Sequence, residues 1–340
     1  MSQNILITGC NGYIGCMLAH YLKKRGHSVR GIDNRLYPEN FRIPGFSYQV
    51  EGVEYRIKDI RDMTVDDFDG IDTLVHLAGL SNDPLGDLND RVTRGINVYG
   101  TVEVASQAKK CGVEKLIFAS SCSVYGFSPL ESPIFFKEES PKNPVSTYAE
   151  TKLVAEGALN NLVDDDFTVI IMRNATVYGP SPRMRFDLLI NAMVMTAYFD
   201  QEIIFYSNPQ VKRPLINIED LCNVFTYFTE NDVKSNTYNI GRTLDNYSIS
   251  DVAVLVCKAF YDRFKKDIRL RYSIDNSDPR SYLVSFSKLE SNHGKLITHT
   301  VYDNIMSLID LFASNFDPDD TESRNDTSFY SIRHLCERLS

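Results

Sequence analysis

An α/β fold, with a doubly wound parallel sheet followed by a smaller C-terminal α+β lobe, is the architecture this sequence predicts. Three observations point to it. Short β-rich apolar runs alternate with helical patterns through the first half of the chain, as in a parallel sheet with helices on both faces. The first run feeds directly into a glycine turn and then a helical pattern. After about residue 180 the alternation loosens into mixed helices and short strands.

Ile5 to Ile7 is the first strand, and Thr8-Gly9-Cys10-Asn11-Gly12-Tyr13-Ile14-Gly15 follows, with glycines spaced three apart. Such a backbone turns tightly and comes close to a pyrophosphate. The glycines remove Cβ atoms from that approach, and the helix N-terminus offers free N–H groups and a positive dipole end. The helix pattern runs through Leu18, Ala19 and Leu22 and closes at Gly26, a C-terminal cap. A second strand, Ser28 to Ile32, ends in Asp33. That lies about 20 residues past the turn, where dinucleotide-binding folds hold the adenosine ribose hydroxyls with a carboxylate. Asp33 repels a 2′-phosphate and so predicts NAD over NADP; Arg35, two residues on, keeps that preference open. Further strands are expected at Val53–Ile57, Thr73–His76, Leu116–Ala119 and Val169–Met172, with helices over 91–111 and 146–163. Residues 1–180 therefore read as a Rossmann-like NAD-binding domain.

Beyond it, helices are expected over Arg183–Phe199, Glu219–Thr229 and Ser250–Phe260, with short strands around 203–205, 214–218 and 236–240. Residues 181–315 read mainly as a substrate-binding lobe folded against the C-terminal edge of the sheet, with some segments returning to it. The crevice there is the expected ligand site. Residues 316–340 read as a polar tail, acidic at first (Asp317, Asp319, Asp320, Glu322) and loosely packed.

Composition bounds the partners. With 43% hydrophobic residues, the 340-residue chain can bury a substantial core, and its net charge of −9 argues against a basic nucleic-acid-binding surface. No stretch is long and apolar enough to span a membrane, and no leader pattern precedes the first strand, so a soluble cytoplasmic protein is expected. The seven cysteines (Cys10, Cys16, Cys111, Cys122, Cys222, Cys257, Cys336) form no CxxC pair. Neither a zinc site nor a disulfide framework is suggested, and no metal is expected.

Tyr148-Ala149-Glu150-Thr151-Lys152 places tyrosine and lysine at i and i+4, on one face of a helix. A lysine beside a phenol favours the phenolate. Bringing tyrosine from about 10 to near 7 takes roughly 4 kcal/mol, which the ammonium and a nicotinamide charge supply together in a desolvated site. The strand end Phe118-Ala119-Ser120-Ser121-Cys122-Ser123-Val124-Tyr125-Gly126 points hydroxyls into the crevice. Ser121 is the candidate partner of the phenolate. Each of Ser120, Ser121 and Ser123 could instead satisfy loop backbone groups, a reading as good as the functional one for Ser120.

With these motifs in place, the chain resembles the extended short-chain dehydrogenase/reductases, in particular the NAD-dependent nucleotide-sugar epimerase/dehydratase family, over residues 3 to about 315. The resemblance rests on the glycine turn 8–15, Asp33, Asp59-Ile60-Arg61-Asp62, His76-Leu77-Ala78-Gly79, Asn97 with Gly100-Thr101, residues 120–126, Tyr148 with Lys152, and Arg173 to Pro180. It implies that Gly9, Gly12 and Gly15, with Tyr13 and Ile14 between them, pack on the pyrophosphate and Asp33 on the ribose. Asp59 and Ile60 would border the adenine, Leu77 and Ala78 line the cofactor cleft by backbone, and Asn97 support it. Lys152 would hold the nicotinamide ribose and keep Tyr148, the acid/base, ionised, with Ser121 as its hydroxyl partner.

On the substrate side, Arg213 and Arg280 resemble the family's pair of arginines on the nucleotide diphosphate, where a guanidinium forks phosphate oxygens. Arg183 or Arg185 would reach the sugar or a phosphate, or lie on the surface. Thr176 stands where many relatives have an asparagine on the substrate phosphate, and Asn174 could share that work. The loop Leu80 to Asp87 either reads ring hydroxyls or makes only a turn. Sugar 4,6-dehydratases of this family carry an Asp-Glu pair where this chain has Cys122 and Ser123, so dehydration is not expected.

The reading is an epimerase at sugar carbon 4, through a keto-sugar. A 4-dehydrogenase or reductase, a decarboxylase using Arg185 for the carboxylate, and a non-catalytic NAD-binding protein are the alternatives. A homodimer pairing helices 91–111 and 146–163 in a four-helix bundle is also implied.

Overall fold

The structure is a computed structural model that describes residues 2–36, 47, 49–81, 89–128, 133–273, 281–293 and 296–319. In chain order its strands are β1 Asn4–Thr8, β2 Ser28–Asp33, β3 Glu54–Ile57, β4 Thr73–His76, β5 Lys115–Ser121, β6 Phe135–Phe136 and β7 Thr168–Asn174. They continue with β8 Thr176–Tyr178, β9 Glu202–Phe205, β10 Lys212–Asn217, β11 Asn236–Ile240, β12 Asn246–Ser248, β13 Arg269–Tyr272 and β14 Leu283–Val284. The helices used below are α1 Tyr13–Lys24, α2 Asp90–Arg94, α3 Thr101–Lys110, α4 Thr147–Asn160, α5 Leu189–Asp200, α6 Ile218–Glu230, α7 Ile249–Phe264, α8 Ser287–Asn292 and α9 Val301–Asn315.

Seven strands make one parallel sheet in the order β11-β7-β5-β4-β1-β2-β3. Its central strands β1, β4, β5 and β7 are apolar on both faces, as a sheet covered on both sides requires. Along β1, Ile5 and Ile7 pack with Leu18 and Leu22 of α1 and Leu221, Val224 and Phe225 of α6, while Leu6 packs with Val104 and Ala108 of α3 and Leu159 of α4. The chain builds outward from β1 through β2 to β3, then crosses back to β4 and proceeds the other way. The order therefore reverses between β1 and β4, and the crevice above that reversal is where such folds bind ligands.

The smaller lobe contributes a sheet of order β12-β10-β8, the pair β13-β9 and the pair β14-β6. The strand at 236–240, which its own pattern leaves without a partner, returns to the central sheet beside β7. Gly26 takes φ +87, the left-handed conformation expected of a residue just past a helix end.

Three elements differ from the sequence expectation. The helix over 91–111 is interrupted: α2 passes into a π-helical stretch, Gly95–Gly100, before α3 resumes. The helix expected from Arg183 starts only at Leu189. The preceding residues are held as a loop, because Asn191 accepts from the Gly179 N–H (3.1 Å) and donates to the Arg185 carbonyl (2.9 Å). Phe316, assigned to the loose tail, is packed: its ring lies 5.4 Å from that of Phe312, and its carbonyl accepts from the Tyr198 hydroxyl at 2.8 Å. Residues 320–340 lie outside the described residues.

Candidate active site

The glycine turn is backbone packed on backbone. Gly9 has φ +73, and a Cβ there would meet the Ala78 nitrogen at 2.8 Å. A Cβ on Gly15 would lie 2.2 Å from the Gly9 carbonyl oxygen. These two glycines let α1 start against the ends of β1 and β4. Gly12 is different, for its Cβ would meet only the Gly9 carbonyl, at 3.2 Å. It is the N-cap of α1, which has no side-chain cap, so the first-turn N–H groups of Tyr13, Ile14 and Gly15 are left to a ligand or solvent. Tyr13 itself points inward, donating to the Gly179 carbonyl at 2.6 Å.

Asp33 closes β2 at one end of the crevice. Its oxygens accept from the N–H groups of Asn11 (3.1 Å) and Arg35 (2.7 Å), which positions the carboxylate. Burial raises its pKa, opposed by those bonds and by the charges of Arg183 and Arg35. An uncapped helix N-terminus facing a strand-end carboxylate, with the glycine Cβ atoms removed between them, fits a dinucleotide's pyrophosphate and ribose.

Asp59 is held by Arg61 (2.8 and 3.0 Å) and by Asn34 (3.0 Å), which lowers its pKa to about 2. Ile60 packs beneath Gly100. Leu77 and Ala78 hang on Thr8 through their N–H groups, at 3.1 and 3.4 Å. The amide of Asn97, in the π-helical stretch, is spent on the protein: it accepts from Leu80 N (2.8 Å) and donates to Leu80 O (3.0 Å) and Thr151 Oγ1 (3.2 Å). It ties the loop after β4 to α4.

Ser121, Tyr148 and Lys152 meet at the C-terminal edge of β5. Ser121 Oγ accepts from Ser123 N at 3.1 Å, which leaves its own proton free to donate. The phenol of Tyr148 is raised above its ordinary pKa by burial; the hydrogen bond with Ser121 and the charge of Arg185 pull it back. Lys152 is 5% exposed, and its ammonium donates to the Ala119 carbonyl at 2.7 Å. It sits 5.9 Å from the Tyr148 ring centre. Burial lowers the lysine to about 8, against the carboxylate of Glu156. Ser121 and Arg185 favour the phenolate, while the Lys152 ammonium is bonded to β5.

A buried polar network stands beneath these groups. Ser120 donates to Glu156 (2.5 Å), and Glu156 takes the Arg173 guanidinium in a fork (2.7 to 3.2 Å). Arg173 also donates to the Tyr125 hydroxyl and the Glu138 carbonyl, both at 2.9 Å. Ser120 is therefore structural. Glu156 is not among the residues singled out from the sequence, although the spacing 148, 152, 156 marks one helix face. Cys122 is a buried filler whose thiol donates to the Arg173 carbonyl at 3.1 Å and is pushed up by burial.

On the substrate side, Arg213 is 7% exposed, with its guanidinium 5.5 Å from the Tyr282 ring centre. Thr176 pairs with Leu215, two residues along the same strand. Arg185 forks Asp187 (2.5 and 3.1 Å) and donates to Ser81 at 2.9 Å. Arg280, with residues 82–88 of the loop after β4, lies outside the described residues. Among the described residues no cluster of three or more His, Cys, Asp or Glu is arranged to hold a metal ion. Nor is any described helix long and apolar enough to cross a membrane.

A Rossmann-like sheet carrying this crevice defines a nucleotide-cofactor enzyme class. The chain belongs to the NAD dependent epimerase/dehydratase family, whose profile matches residues 5–241. It is 28% identical over 235 residues to a UDP-glucuronate 4-epimerase of Thermodesulfobacterium geofontis, covering 64% of this chain and 68% of that protein. It is 35% identical over 183 residues to a UDP-glucose 4-epimerase of Mycolicibacterium smegmatis, covering 52% and 56%. In fold it is similar to a UDP-glucuronic acid 4-epimerase from Bacillus cereus in complex with UDP-glucuronic acid and NAD, with TM-score 0.79, 21% identity and coverage of 92% of this chain and 99% of that one. The cofactor of the family is NAD.

Proposed function

We propose that this chain is a nucleotide-sugar epimerase acting at sugar carbon 4 through a keto-sugar. The observation that carries the reading is the Tyr148 phenol, hydrogen-bonded to Ser121 at the edge of β5, with Lys152 one helical turn away. NAD bound along the crevice supplies a hydride acceptor and donor. Tyr148 takes the proton of the reacting hydroxyl and returns it. Ser121 donates to the reacting oxygen, and Lys152, anchored on Ala119, presents its remaining N–H groups to the cofactor ribose. Gly12 with the α1 N-terminus receives the pyrophosphate and Asp33 the adenosine ribose. Arg213 and Thr176, with Arg280, receive the substrate diphosphate.

Two observations favour epimerisation over its relatives. At the dehydratase acid/base positions this chain has a buried thiol donated to a backbone carbonyl and a buried serine hydroxyl. Arg185, the candidate for a substrate carboxylate in a decarboxylase, already forks Asp187.

A homodimer belongs to the same reading: Tyr99 and Val154 are 74% and 50% exposed on the helices expected to pair. Light scattering that finds only monomer refutes it. A cytoplasmic location is supported by cysteines left as free thiols among the described residues.

The test is proton NMR of the purified protein with UDP-, GDP- and dTDP-sugars and no added cofactor. A new anomeric signal at constant total sugar is expected, falling roughly 10²- to 10⁴-fold in rate for Tyr148→Phe. Reduced nicotinamide accumulating only after NAD is added would make the protein a dehydrogenase instead.

A further inference from the structure

The C-terminal edge of the central sheet holds an unexplained polar group. Asn174, the last residue of β7, is 8% exposed, and its side-chain carbonyl oxygen is buried without a hydrogen-bond partner. A buried acceptor left unpaired is penalised, so it demands an explanation. The alternation of the strand sends Arg173 to the α4 face, where it meets Glu156, and Asn174 to the opposite face with Met172 and Ile170. In parallel register Asn174 stands beside Ser121 of β5 on one side and Ile240 of β11 on the other. Neighbouring strands lie about 4.8 Å apart. The unpaired carbonyl oxygen is therefore carried one strand away from the hydroxyl that bonds Tyr148, on the same face and at the same edge of the sheet. The thiol of Cys122, the residue after β5, is already committed to the Arg173 carbonyl, and the Ile240 side chain offers no donor.

We propose that Asn174 is a specificity-determining residue that reads a hydroxyl flanking the reacting carbon 4 of the sugar, the one on carbon 3 or the exocyclic one on carbon 6. The inference rests on the epimerase reading of this crevice and deepens it. When the reacting oxygen sits between Ser121 and Tyr148, the next ring substituent falls toward β7. A sugar hydroxyl there donates to the orphaned carbonyl and satisfies it. This places Asn174 at the sugar and not at the diphosphate, which belongs to Arg213 and Thr176 on the β10-β8 side. A site built to accept from a hydroxyl discriminates strongly against the analogue that lacks it, because the protein group is then left unpaired.

The experiment compares the parent protein with Asn174→Leu and Asn174→Ala on a nucleotide-hexose that the parent turns over, and on its 3-deoxy and 6-deoxy forms. Leucine should lower kcat/KM on the full hexose roughly 10- to 100-fold. It should change little on the one deoxy analogue that lacks the hydroxyl being read. Bound NAD, measured after denaturing the protein, should stay at the parent level. The melting temperature of Asn174→Leu should not fall, since an isosteric apolar group replaces an unpaired polar one. An equal loss on all three sugars, or loss of NAD, overturns this role while parent turnover leaves the epimerase reading standing. A parent that epimerises no nucleotide-hexose overturns both.

Discussion

Removing the carboxylate of Glu156 should damage this protein more than any surface charge change, and the structure sets the size of the effect. The side chains of Arg173 and Glu156 are only 5% and 4% exposed, and the guanidinium makes a fork of bonds to the carboxylate. Glu156→Ala leaves a buried cation with only the Tyr125 hydroxyl and the Glu138 carbonyl as partners, and takes away the acceptor of Ser120. Breaking one side of a buried pair costs about 3–5 kcal/mol, a large part of a typical total stability of about 5–15 kcal/mol. The pair itself is worth less than that loss, because both ions were desolvated to make it. Glu156→Ala with Arg173→Met should therefore recover much of the stability that the single change removes. Urea titration followed by circular dichroism measures both variants. Glu156→Gln, which keeps the shape and one acceptor, is the milder companion. The change also reaches the site, because the Glu156 charge supports the Lys152 ammonium against burial. A single mutant within about 1 kcal/mol of the parent, or a double mutant no better than the single, would refute the reasoning.

Three further outcomes are expected. His76 is buried between Thr8 (2.7 Å) and Thr101 (3.0 Å), and burial lowers its pKa from 6.5 to about 3. The unfolded chain binds that proton below pH 6.5 and the folded one does not. His76 thus adds a stability loss of about 1.4 kcal/mol per pH unit as pH falls toward 3; a denaturation series in which His76→Gln has the same pH slope as the parent falsifies this. Gly15→Ala, with its Cβ 2.2 Å from a carbonyl oxygen, should lower the melting temperature sharply. Gly12→Ala should fold near normally but bind NAD roughly tenfold more weakly by calorimetry, and equal melting temperatures for the two variants would remove the distinction. Ser121→Ala deletes the hydrogen bond that lowers the Tyr148 pKa, so the acid limb of the kcat profile should move to higher pH and the rate fall roughly 100-fold. An unshifted limb would mean that Ser121 does not touch the phenol.

Much of this protein was determined by local sequence. The alternation of apolar strands and helical patterns, three glycines between β1 and α1, Asp33 at the end of β2, and Tyr148 four residues before Lys152 each depend on short-range spacing, and spacing of that kind is written in the chain itself. Other features came only from tertiary structure, because they depend on which distant segments meet. The strand at 236–240 was legible as a strand, but its place beside β7 was not. The late start of α5 follows from Asn191 reaching back to Gly179 and Arg185. The division of labour among the serines follows from the two faces of β5, one toward Glu156 and the other beside Asn174. The ionisation of Tyr148 is a matter of burial, Ser121 and Arg185 together, and burial is a property of the folded chain that no residue carries alone.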